Sequence, residues 1–195
     1  MTTEDEYRKK IKKYDWNGLS TLWKAVKSGD TSGWPSGRAF EYLVLRAFQL
    51  EGAYIHWPYK VTVGDLTGTE NRETAEQIDG FIHTKDGLAC LIECKDKGTD
   101  KDGKIVRANV EPIAKLRNQL LRRPGTVIGI VFSRSGFTDP ASLLARFAAP
   151  QIILLWGGDE VEIALGKKCF LKGLTAKYRA CVTKGIPNYH IVQGV

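Results

Sequence analysis

A chain of 195 residues, 43% hydrophobic and 26% charged, has the composition of one folded domain and excludes a disordered, collagen-like or coiled-coil protein. Lys and Arg number 29 against 22 Asp and Glu, a net charge of +7 that suits a polyanionic partner. No apolar run approaches the roughly 18–20 residues of a membrane span, and the opening MTTEDEYRKK carries no signal-peptide apolar region, so no membrane partner is expected and the expected compartment is the cytoplasm.

Residues 4–28 read as one or two helices, with Leu19, Leu22, Trp23 and Val26 at helical spacing. Ser36 is the expected N-cap of a helix running to Gly52, with the stripe Phe40, Leu43, Val44, Ala47 and Phe48. A strand is expected over 54–63, a polar turn region over 64–76, and a strand over 77–84. The turn Lys85-Asp86-Gly87 then leads into a buried strand over 88–95. After a charged loop, 96–109, come a helix over 111–123 and an apolar strand over 127–132. A helix over 139–147 follows, with Asp139 as its cap and Pro140 at its first position, then a strand over 152–156. Residues 160–165 read as a short edge strand and 168–184 as a closing helix ended by Gly185 and Pro187. This order implies an α/β domain with a mixed sheet flanked by helices on both faces. It divides into an N-terminal helical extension (1–35), a core (36–165) and a basic C-terminal helix and tail (166–195). That last segment carries six Lys and Arg and no acid. Cys90, Cys94, Cys169 and Cys181 lack C-x-x-C spacing and read as reduced, buried thiols rather than a disulfide framework or a zinc site.

The chemistry is suggested by carboxylates. Glu93 and Lys95, two apart on a strand, leave the same face. A three-residue hairpin loop with Gly87 as the positive-φ bulge pairs Thr84 with Leu88, and counting back sets Asp79 opposite Glu93. Two facing carboxylates repel unless a cation lies between them, and oxygen ligands suit Mg²⁺, with Mn²⁺ the alternative. A two-residue turn would send the two acids to opposite faces. Glu41, beside the buried stripe of its helix, adds a third acid, either as a favourable first-turn charge or as part of the same site.

These residues resemble the PD-(D/E)xK nuclease superfamily, of the restriction endonuclease-like fold, in its Mrr-like branch. Gly37-Arg38-Ala39-Phe40-Glu41 is similar to the branch's G-x-x-F-E helix, Gln77-Ile78-Asp79-Gly80 to its aspartate segment, Glu93-Cys94-Lys95 to E-x-K, and Gly136-Phe137-Thr138-Asp139-Pro140-Ala141 to the segment after the next core strand. The resemblance covers roughly residues 36–156. Ile78 stands where the motif has Pro, and a Q-x-x-x-Y motif of some relatives is unmatched, since Gln119 is followed by Arg123. The resemblance implies Mg²⁺ held by Asp79, Glu93 and the backbone carbonyl of Cys94. Lys95 would orient or deprotonate the attacking water, Glu41 would reach the metal through water, and cleavage would leave 5′-phosphate and 3′-hydroxyl ends. The expected function is a Mg²⁺-dependent DNA endonuclease, acting as a homodimer or with low sequence specificity, with RNA as the alternative substrate. A junction resolvase or exonuclease is the nearest enzymatic alternative, and a non-catalytic nucleic-acid-binding subunit the alternative of another class. Nucleic-acid contacts are expected from Arg38, from Lys97, Lys104 and Arg107 of the charged loop, and from Lys115, Gln119 and Arg122 on one helix face.

Overall fold

The computed structural model describes residues 4–194. Two helices open the chain, α1 (Glu4–Lys12) and α2 (Trp16–Ser28); Asp15 caps the second by accepting from the Gly18 N–H. The next helix, α3 (Arg38–Leu50), buries Phe40, Leu43, Val44, Ala47 and Phe48 as its spacing requires. Its N-cap is Gly37 rather than the expected Ser36. The backbone enters the helix through a left-handed residue, φ 78°, a conformation glycine adopts without steric cost.

The strand expected over 54–63 is two strands, β1 (Tyr54–His56) and β2 (Tyr59–Thr62), in different sheets. Pro58, which has no N–H to give a ladder, stands at the break. Within the polar region, Thr62 and Asp65 form a reciprocal capping box for the short α4 (Val63–Thr67). Then β3 (Thr74–Ile78) pairs with β2, while β4 (Gly80–His83) joins the main sheet, leaving Asp79 at the junction. The main sheet runs β1, β4, β5 (Ala89–Lys95), β6 (Val127–Ser133), β7 (Ile153–Gly157), antiparallel through β5 and parallel from β5 to β7. Between β4 and β5 the loop has the expected form. Gly87 sits at φ 87°, the Thr84 N–H donates to the Leu88 carbonyl at 2.9 Å, and the ladder pairs Gly80 with Ile92 and His83 with Ala89. Continued one step beyond β4, this register sets Asp79 across from Glu93.

Alternation along the strands divides the core. Cys90, Ile92, Phe132 and Trp156 face α2, α3, α7 (Gly158–Lys167) and α8 (Phe170–Lys184), whereas Leu91, Val131, Ile153 and Leu155 face α5 (Glu111–Leu120) and α6 (Asp139–Arg146). The molecule is therefore an α/β fold with a mixed five-stranded sheet flanked by helices on both faces, the expected architecture. Residues 160–165, expected as an edge strand, belong to α7. The Glu160 carboxylate accepts from the Gly157 N–H at 2.9 Å, and Val161, Ala164 and Leu165 are buried at helical spacing. Helix α6 is capped by Thr138, which accepts from the Ala141 N–H, rather than by Asp139. Helix α5 ends at Leu120, short of Arg123. All four cysteines are free, Cys181 only half-buried. Among the described residues no helix is long and apolar enough to cross a membrane.

Candidate active site

Three elements meet at the end of β4. A Cβ at Gly80 would lie 2.6 Å from the Leu45 side chain, so only glycine there lets α3 rest directly on the strand. One helical turn before Leu45, Glu41 is thereby brought toward Asp79, and both are buried. Asp79 uses one oxygen, Oδ2, to accept from the Cys94 N–H at 2.9 Å. Because the N–H and C=O of a strand residue point to the same edge, the Cys94 carbonyl faces Asp79, past the end of β4. The Lys95 carbonyl points the other way, accepting from the Arg134 N–H at 3.0 Å.

Glu93 is fully buried on the α5 face. Its carboxylate lies between two ammonium groups: Lys95 Nζ is 2.7 Å from Oε1, and Lys115 Nζ of α5 is 2.6 Å from Oε2. Glu41 is held by Arg38, whose Nη1 lies 2.6 Å from its Oε2 while Nη2 reaches Glu4 at 3.0 Å.

Burial and the repulsion of neighbouring carboxylates raise the pKa values of Glu41 and Asp79. Glu41 is pushed up to about 8 by burial, then by Asp79, against the pull of Arg38. Asp79 is raised to about 6 by burial and by Glu93, partly offset by the Cys94 N–H and by Lys115 and Lys95. Burial lowers the Lys95 pKa, but the neighbouring Glu93 and Asp79 outweigh it, and the net shift is upward. An acid whose pKa is higher folded than unfolded takes up protons on folding, so its contribution falls as pH rises between the two values. The windows are the ordinary 4.5 to about 8 for Glu41 and 3.8 to about 6 for Asp79. In EDTA, urea unfolding should therefore give a stability lower at pH 8 than at pH 5, with Glu41 contributing on the order of 3 kcal/mol. Glu41→Gln should flatten the decline, and an equal pH slope in wild type and variant would remove the repulsive cluster as its cause.

The donors suit a hard divalent cation. Glu93 Oε1 is buried, with the Lys95 ammonium as its ion-pair partner. Carboxylate and carbonyl oxygens are the ligands Mg²⁺ and Mn²⁺ prefer. Among the described residues no three His, Cys, Asp or Glu side chains form a ready-made metal cluster; here the third protein donor would be the Cys94 carbonyl.

Of the residues expected to touch nucleic acid, Lys97 and Arg107 line a cavity next to Lys95. Lys104 is exposed on the Asp100–Lys104 turn, and Arg38 is occupied with Glu41 and Glu4. Of the expected basic helix face, the structure buries Gln119 and leaves Lys115 and Arg122 partly exposed, each paired with a buried acid. Gln119 is buried and donates to the Gln77 carbonyl at 3.1 Å, so it offers nothing to a ligand, and Arg122, with Arg123, holds the buried Glu76. Lys115, its side chain partly exposed, also pairs with Glu93, a role that the helix periodicity does not reveal. The link between Arg38 and Glu41 was available in their i, i+3 spacing.

No protein-family model and no curated protein matches the chain. Among solved structures, a protein of unknown function, AF1548, aligns at 18% identity and a TM-score of 0.48, over 72% of this chain and 76% of its own. The MspJI restriction endonuclease, in complex with a 27-mer oligonucleotide, aligns at 16% identity and a TM-score of 0.43 over 87% of this chain. This chain spans 35% of the length of that protein.

Proposed function

We propose that the protein is a divalent-metal-dependent nuclease that hydrolyses DNA phosphodiester bonds at the site formed by Glu41, Asp79, Glu93 and Lys95. The observation that carries this reading is the hairpin register, which sets Asp79, Glu93 and the Cys94 carbonyl around the end of β4 with an ammonium group 2.7 Å from Glu93. The motif resemblance to PD-(D/E)xK nucleases falls on these same positions.

Asp79, Glu93 and the Cys94 carbonyl would hold Mg²⁺ or Mn²⁺, with Glu41 reaching it through water. Bound there, the ion would polarise the scissile phosphate and make a water more acidic. The protein's own groups do the rest. Asp79 is fixed by the Cys94 N–H, and Arg38 keeps Glu41 turned inward. Lys95, held as an ammonium by its acidic neighbours, donates to the attacking water or to the phosphate oxygen on which charge builds. Lys115, the second cation on Glu93, is half-exposed and within reach of an incoming strand.

The reading is tested on supercoiled plasmid incubated with the protein in Mg²⁺, in Mn²⁺ and in EDTA. Nicking is expected with either metal, none in EDTA, and a loss of at least about 100-fold in Asp79→Ala. Tight binding without cleavage in both metals would instead make the chain a nucleic-acid-binding subunit.

A further inference from the structure

Beside the site, and sharing Lys95 with it, is a cavity of about 140 Å³ lined also by Lys97, Arg107, Asn109, Glu111 and Ser133. Its wall is fixed. The Ala108 N–H donates to the Gly136 carbonyl at 2.9 Å and the Ala108 carbonyl accepts from the Thr138 N–H at 3.0 Å, tying the charged loop to the segment after β6. Asn109 accepts from the Glu111 N–H at 3.1 Å at the start of α5.

The lining is unbalanced in charge. Lys95, Lys97 and Arg107 face one acid, Glu111, a net of +2. Outside the lining, Glu93 is matched by the Lys115 bound to it, and Asp79 also acts on Lys95. Among the described residues neither Lys97 nor Arg107 has an ion-pair partner, so their charge is available to a ligand. The volume is small against the roughly 300–1,000 Å³ of sites that enclose a whole small molecule, which points to a single tetrahedral anion rather than a nucleoside. An internal phosphodiester brings one negative charge, whereas a phosphate monoester brings about −1.5 to −2 near neutral pH. The monoester is the better match.

We propose that this cavity binds the terminal phosphate monoester of a nucleic-acid strand and so directs the adjacent site to phosphorylated ends. The inference rests on the nuclease reading for the neighbouring chemistry, but its test does not need cleavage. Binding is measured by fluorescence anisotropy in EDTA with oligonucleotides of one sequence that carry a 5′-phosphate, a 3′-phosphate or hydroxyls at both ends. One phosphorylated form should bind about tenfold more tightly than the hydroxyl form, and which one identifies the end recognised. Lys97→Ala/Arg107→Ala, at two exposed positions, should abolish the difference while binding the hydroxyl form with a smaller loss.

Equal affinity for all three oligonucleotides in the wild type would overturn the proposal, as would a preference that survives the double substitution. A phosphate preference without plasmid cleavage would leave the pocket standing and remove the nuclease reading. Cleavage without a phosphate preference would do the reverse.

Discussion

Lys95→Ala is expected to lower metal-dependent cleavage by about 10²- to 10⁴-fold while leaving the protein folded. The fold should survive because Glu93 keeps Lys115 at 2.6 Å, so the buried carboxylate is not stripped of its counter-charge. The activity should not, because Lys95 is the cation placed both against Glu93 and in the lining of the neighbouring basic cavity. Its neighbours also decide what kind of help it gives. Burial favours the neutral amine, but Glu93 and Asp79 raise its pKa, so near neutral pH it is an ammonium and serves as a charge and a donor. Lys95→Arg, which keeps a cation and donors, should therefore retain more activity than Lys95→Ala. Equal losses in the two variants would show instead that the amine accepts a proton, which guanidinium cannot do. Comparing single-turnover rates at saturating DNA separates this loss from weakened binding.

The parts of the site that were legible in the sequence are those set by local rules. Lys85-Asp86-Gly87 specifies a three-residue hairpin loop, the loop specifies the register, and the register sets Asp79 against Glu93. Alternation on β5 likewise sends Glu93 and Lys95 to one face and Cys90, Ile92 and Cys94 to the other. Errors fall where non-local packing or an unusual backbone outweighs the local pattern. Residues 160–165 are short and begin after two glycines, which hides a helix whose start is fastened by the Glu160 carboxylate and whose apolar face is covered by α2 and α8. Gln119 sits at the spacing of a solvated helix face, yet β3 comes alongside and supplies the Gln77 carbonyl as its partner, while Arg122 stays half-exposed and pairs with Glu76 of the same strand. No periodicity within α5 shows which of its residues lies over Glu93, because that depends on how the helix crosses the sheet. The C-terminal segment reads as a basic helix and tail packed on the core, but nothing in the spacing of its six cations shows that one of them is fully buried.

That residue is Lys177, and Lys177→Met is expected to destabilise the protein by about 3–5 kcal/mol, a fall in melting temperature of roughly 6–20 °C for a domain of this size. Its side chain is fully buried. The ammonium donates to the Leu155 carbonyl at 2.6 Å and to the Tyr189 carbonyl at 2.7 Å, and pairs with Glu160 Oε1 at 2.6 Å. These three partners match its three N–H groups. Burial lowers the pKa of this lysine while Glu160 raises it, and burial prevails. Removing the ammonium would leave two carbonyls and a buried carboxylate without their cation, and methionine keeps enough of the side chain that the loss reports charge and hydrogen bonding rather than a cavity. Glu160 also accepts from the Gly157 and Ile191 N–H groups at 2.9 and 3.0 Å. It therefore joins the end of β7, the start of α7 and the C-terminal turn. Glu160→Gln/Lys177→Met should thus cost less than the two single substitutions added together, with a coupling of about 1–3 kcal/mol in a double-mutant cycle by urea unfolding. A cost below about 1 kcal/mol for Lys177→Met would show that the pair's desolvation cancels its attraction. Below the lowered melting point, the variant should still cleave at the wild-type rate, since nothing in this cluster touches Asp79, Glu93 or Lys95.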